Sequence, residues 1–119
     1  MWKQLMKMAS EELSEQQLGM MDMAKKIAEE SGIDMVGDSI VLYHGTRQGD
    51  KIRKGGKWRI GTFFSNGENT ALKYARQAQV GRKMEVMKVL VPMYALFPHG
   101  KEDGNWFFTL NEEVPVVGA

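Results

Sequence analysis

Three stretches of the chain gather residues able to do chemistry. "IVLYHGT", Ile40 to Thr46, is an apolar, strand-like run that ends in an imidazole, a bare glycine and a hydroxyl. "GTFFSNGENTALKYA", Gly61 to Ala75, passes from a glycine through two aromatics and a serine to a helical stretch carrying Tyr74. "NWFFTLNEEVPV" sets Asn111, Glu112 and Glu113 between an aromatic run and an apolar one. A histidine titrates near neutrality, a phenol offers a flat face for stacking, and a carboxylate stabilises positive charge as it develops in a reaction. Two readings stay open for His44: a satisfied half-buried ring, or a ring aimed at a ligand by its strand. Tyr74 has the same ambiguity, because with Ala71, Ala75 and Ala78 it also makes a plausible face for packing a helix on a sheet. His99, in the turn-rich "FPHGKEDGN", is expected at the surface.

Residues 1 to 32 are rich in Met, Leu, Ala, Gln, Glu and Lys and are expected to be helical. "SEQQ", Ser14 to Gln17, fits a capping box, and Gly32 supplies the stop. Met20, Met23, Ala24, Ile27 and Ala28 recur at helical spacing as one apolar stripe, to be buried on the domain's own core or on a partner. After Gly37, β-branched and alternating residues separated by glycines predict strands over Ser39–His44, Trp58–Phe64, Met84–Pro92, Trp106–Leu110 and Val114–Val117. One helix is expected from about Asn69 to Gln79. "RQGDKIRKGGKWR" between the first two strands carries six basic residues and one aspartate, and its glycines predict an exposed, mobile loop. That loop is either a solvated charge run or a grip for the phosphates of a dinucleotide or nucleic acid.

A length of 119 residues suits one domain with one core. It divides into an N-terminal helical segment, 1–37, packing on a core, 38–119. With 43% hydrophobic and 26% charged residues, and no apolar run near the roughly 20 residues of a membrane span, the chain reads as soluble. The N-terminus lacks the apolar region and cleavage site of a secretory signal, and its acidic residues argue against a transit peptide, so the cytoplasm is the expected location. There is no cysteine, which rules out disulfide and thiolate chemistry, and two histidines cannot make an all-histidine or Cys/His metal cage. A net charge of +1 offers no overall case for a polyanionic partner, although a local patch such as Lys51 to Arg59 does.

A histidine at a strand end, a tyrosine on a helix after a glycine-aromatic strand, and a late glutamate resemble the His-Tyr-Glu class of ADP-ribosyltransferases. "YHGT" is an opening used across that superfamily, including small bacterial and phage toxin-like enzymes. Gly61, Phe63, Phe64 and Ser65 fall in register with the glycine-aromatic segment of the poly(ADP-ribose) polymerases, and Tyr74 follows Gly61 by thirteen positions, as there. "NEEVPV" is similar to the segment carrying the glutamate of that group, with Glu112 on the catalytic position. Pro115 breaks that segment and leaves Glu113 as the alternative.

The resemblance implies an α+β fold with a split β-sheet core and one helix after the second core strand. It also implies that NAD is cleaved at its nicotinamide-ribose bond through an oxocarbenium-like state, with no metal. Glu112 would then bind the ribose 2-OH and stabilise positive charge at the anomeric carbon. His44 would hold a ribose hydroxyl, Gly45 would offer its backbone to the carboxamide, and Thr46 or Ser65 would hydrogen-bond nearby. Tyr74 would stack on the nicotinamide ring.

Relatives that modify arginine usually carry Gln or Glu two positions before the glutamate. Leu110 and Asn111 stand there, which disfavours arginine as acceptor. Another protein side chain, a small molecule, a nucleic acid or water remain, the last making an NAD glycohydrolase. Two rival functions carry no catalysis: a binding or inhibitor protein docking through its methionine-rich helix, and a nucleic-acid-binding module built on the basic loop.

Overall fold

The computed structural model describes residues 13–77 and 83–119. Its first element is α1, Glu15–Ser31, and its start is fixed locally. The Gln17 N–H donates to Ser14 Oγ (3.1 Å) and the Ser14 N–H donates to Gln17 Oε1 (2.8 Å), so two otherwise orphaned amides are satisfied at once. Gly32 stands at the C-cap. Met20, Ala24, Ile27 and Ala28 are buried, and α1 packs on the short 3₁₀ turn Met93–Ala95 and on β6, Leu96–Glu102. Met23, expected in the same stripe, is 53% exposed: it lies at the margin of the face and turns to solvent. The part of the helical expectation covering residues 1 to 12 lies outside the described residues.

The remaining elements are β1 (Met35–Val36), β2 (Ser39–Thr46), α2 (Gly49–Gly55), β3 (Lys57–Trp58), β4 (Phe63–Ser65), α3 (Glu68–Gln77), β5 (Glu85–Pro92), β7 (Asn105–Leu110), β8 (Val114–Pro115) and β9 (Val117–Gly118). The fold is thus α+β, with three α-helices among the described residues. Its main sheet runs in the order β6-β7-β4-β2-β5-β9, with β1 beside β2, and every described ladder is antiparallel. β2 is central and pairs with β5 over eight residue pairs, from Ser39↔Pro92 to Thr46↔Glu85. Ile40, Leu42, Val89, Val91, Phe64, Phe108 and Leu110 meet the buried face of α1 to form the core. No helix among the described residues is long and apolar enough to cross a membrane.

Several expectations about elements are corrected. The basic loop contains helix α2, which Gly49 and Gly55 disguise; Ile52 packs against the core while Arg53 pairs with Glu85 and Asp50. Tertiary contacts override weak propensity there. The strand expected over Trp58–Phe64 is two strands in different sheets. Between them the Thr62 N–H donates to Arg59 O (3.2 Å), and Gly61 sits at φ +85°, which L side chains rarely adopt. The strand expected over Val114–Val117 also divides, β8 pairing with β3 and β9 with β5. The stretch around His99 is not a turn-rich loop but β6, bulged between Pro98 and Gly100. The helix expected to reach Gln79 is described to Gln77, and its remaining residues lie outside the described ones.

Candidate functional site

A cleft of about 800 Å³ opens between the C-terminal end of β2, helix α3 and the wall made by α2 and β3. His44, Gly45 and Tyr74 line it, with Lys51, Ile52, Lys54, Lys57, Trp58, Arg59, Thr62 and Phe63. Four of these side chains are cationic and none is a carboxylate.

His44 is fixed by its neighbours. Its Nδ1 lies 2.7 Å from Phe63 O, and since a carbonyl only accepts, Nδ1 carries the proton and Nε2 keeps its lone pair. The ring meets Trp58 edge-on (4.8 Å between centroids) and Phe64 at a tilt (5.6 Å). Burial in this aromatic surround lowers its pKa, the hydrogen bond to Phe63 opposing in part, so His44 is neutral at pH 7. Trp58 is only 2% exposed, and its buried indole N–H has no partner among the described residues.

Tyr74 stacks on Phe63, with centroids 5.6 Å apart and planes 17° from parallel. Its hydroxyl donates to Glu102 Oε2 (2.7 Å); burial, that hydrogen bond and the Glu102 charge push its pKa up to about 12. Glu102 is held below the usual carboxylate range by Tyr74 and by Lys73, whose Nζ lies 3.0 Å away. The tyrosine is therefore a protonated, anchored ring.

Gly45 is dictated by packing. A Cβ there would stand 1.6 Å from the Ala71 carbonyl oxygen, so α3 can rest on β2 only over a glycine.

The other residues singled out in the sequence do not line the cleft. Thr46 is buried and its Oγ1 accepts from the Gln48 N–H (2.9 Å), shaping the entry to α2. Gly61 donates its N–H to Leu110 O (2.8 Å). Phe64 is buried against His44 and Trp58. Ser65 Oγ donates to Trp106 O (2.9 Å) and accepts from the Gly67 N–H (3.1 Å). Glu112 accepts from Gln17 Nε2 on α1 at 2.6 Å, and Glu113 is exposed. The segment bearing both carboxylates nevertheless runs between two parts of the cleft wall: Leu110, just before it, bonds Thr62, and Val114, just after it, pairs with Trp58.

The structure thus brings His44, Gly45 and Tyr74 to one cleft and sets Thr46, Gly61, Phe64, Ser65, Glu112 and Glu113 outside its lining. Sequence reasoning missed Trp58 and Thr62 as lining residues and gave Phe63 no role of its own. Their signal was the aromatic-glycine-aromatic run "WRIGTFF", which lies across the mouth as a turn rather than as one strand. Among the described residues, no three His, Asp or Glu side chains come together as a metal site.

Chemically, the cleft suits a ligand with negative charge and a flat ring. Cations draw the charge, the Phe63–Tyr74 pair extends a stack, and His44 Nε2, with no hydrogen bond among the described residues, has a lone pair to accept from a hydroxyl. No protein-family model, curated protein or solved structure matches the chain.

Proposed function

We propose that the cleft binds NAD and that the protein is a mono-ADP-ribosyltransferase. The observation that carries the reading is the meeting, in one cleft, of a neutral His44 at a central strand end, the stacked Phe63–Tyr74 pair and four cationic side chains. A dinucleotide offers the matching groups: pyrophosphate for the cations, ribose hydroxyls for His44, and a ring for the stack. In this reading the sheet is the split core of an ADP-ribosyltransferase. The nicotinamide-ribose bond breaks with its electron pair leaving on nicotinamide, and the acceptor's nucleophilic atom bonds to the anomeric carbon and gives up its proton. A carboxylate of the 111–113 segment serves the positive charge that develops between those events.

A second reading, a ligand-binding protein without catalysis, draws on the placement of that segment: neither Glu112 nor Glu113 lines the cleft, and Glu112 is hydrogen-bonded to α1. Incubation with NAD separates the two. Nicotinamide release by the parent, lost in Glu112→Ala or Glu113→Ala, supports the enzyme and identifies its carboxylate. Release that needs no added acceptor makes it a glycohydrolase, and release that rises with lysate gives an acceptor to identify by mass. Calorimetric binding of NAD with no release establishes the binding protein, and no binding by folded protein removes both readings.

A further inference from the structure

We infer that the exposed aromatic face of β4, β7 and β6, together with the basic wall of the cleft, binds single-stranded nucleic acid. The surface extends beyond the cleft, and the inference does not depend on NAD being the cleft's ligand.

The face carries a continuous row of rings. Tyr74 stacks on Phe63, Phe63 lies 6.4 Å from both His99 and Phe107, His99 and Phe107 are 5.5 Å apart and within 6° of parallel, and Phe97 meets His99 at 5.0 Å. Phe63 and Phe97 are each 44% exposed, so these rings are not serving the core, which lies on the other face of the strands. His99 is set in orientation by its Nε2, 2.6 Å from Thr109 Oγ1. Rows of flat rings on a sheet accept bases of any sequence, because every base has a π-face.

Charge selects the occupant. The row runs into the cleft at Phe63 and Tyr74, where Lys51, Lys54, Lys57 and Arg59 line the wall. None of these four cations is in an ion pair among the described residues, whereas Arg53 on the same helix is paired. The whole chain carries only +1, so this is a local concentration of charge and not a generally basic surface. Glu102, beside Tyr74, is met by both Tyr74 and Lys73. Rings alone would suit a protein partner or a second copy; rings continuous with unpaired cations suit phosphates linked to unstacked bases. A duplex keeps its bases stacked inside and cannot use the row.

The test is fluorescence anisotropy of the full chain with a labelled oligothymidylate, an oligouridylate and a DNA duplex of equal length, with fold monitored by circular dichroism. Single strands are expected to bind at least ten-fold more tightly than duplex. Phe97→Ala, outside the cleft lining, should weaken binding by roughly ten-fold. The double variant Lys51→Glu, Lys54→Glu should lower affinity and flatten the logarithmic salt dependence by roughly 1.4. Absence of binding by folded protein overturns the inference. So does binding that is equal for duplex and unchanged in Phe97→Ala, which is general electrostatic attraction only. Self-association that Phe97→Ala abolishes, with no oligonucleotide binding, would assign the row to a second copy. An NAD titration in parallel keeps the two readings apart, since each ligand can bind without the other.

Discussion

Gln17 Nε2 donates a 2.6 Å hydrogen bond to Glu112 Oε1, joining the first turn of α1 to the segment between β7 and β8, ninety-five positions away. Asn111 Nδ2 reaches Met20 Sδ at 3.1 Å beside it, so α1 and the carboxylate segment are stitched at adjacent points. A half-buried hydrogen bond to a carboxylate contributes about 1 kcal/mol. Gln17→Ala and Glu112→Ala should each cost about that, and the double variant no more than either single one, as read from urea midpoints in a double-mutant cycle. Additive losses would show that the two groups do not act on one another. If Glu112 is the working carboxylate, Gln17→Ala should also change the rate of nicotinamide release, whereas a working Glu113 would leave it unchanged.

Burial lowers the pKa of His44, and this gives stability a pH dependence of defined sign. The unfolded chain takes up a proton at this ring near the ordinary value of about 6.5, while the folded chain resists it. The stabilisation is present above that pH and is lost as pH falls towards the folded-state value. In His44→Gln the urea midpoint should fall less between pH 7 and pH 5 than in the parent. An identical slope would place the titration elsewhere.

Gly45→Ala forces a methyl into the backbone of α3 at Ala71, where no side-chain rotation relieves the clash. A cost of about 3 kcal/mol is expected. Gly67→Ala is the control: its Cβ meets the Asn105 amide, a side chain able to swing away with loss of its 3.1 Å hydrogen bond to Thr70 Oγ1, for about 1 kcal/mol. Thermal denaturation of the two variants gives the comparison, and equal shifts would contradict it.

Trp58→Phe removes the buried indole N–H that has no partner among the described residues. The lost ring volume destabilises and the removed orphan donor stabilises, so the net change should lie within about 1 kcal/mol. Trp58→Ala, which only opens a cavity, should cost about 3–5 kcal/mol. A large loss in the Phe variant would mean that the indole N–H is satisfied in solution.

Much of this architecture is legible from local chemistry. Ser14, Gln17 and Gly32 write both ends of α1, and the apolar run Ile40 to Tyr43 writes the central strand, because capping and hydrophobic runs act over a few residues. The misread parts depend on distant partners. Helix α2 rests on Arg53 meeting Glu85 and on Ile52 meeting the core, neither visible in "GDKIRKGG". β6 tolerates Pro98 and Gly100 because a bulge and its long pairing with β7 absorb them. The cleft shows the same division. His44 and Tyr74 announce themselves as residue types, but the facing of Glu112 towards α1 is settled by Gln17, and the entry of Trp58 and Thr62 into the lining by a turn at Gly61 that splits an apparent strand.

The two walls of the cleft are secured very unequally. His44 and Gly45 belong to a ladder of eight pairs at the centre of the sheet, whereas the backbone of the opposite wall is held by the two rungs Lys57↔Pro115 and Trp58↔Val114 and the 2.9 Å Val116-to-Gly56 hydrogen bond, beside the exposed Arg53–Glu85 pair and the core packing of Trp58 and Ile52. Local opening follows the weakest ties. Amide protons of β3 and β8 should therefore exchange with solvent well before those of β2 and β5. A ligand that bridges the two walls would close that gap in protection, making exchange at Trp58 and Val114 a direct gauge of occupancy.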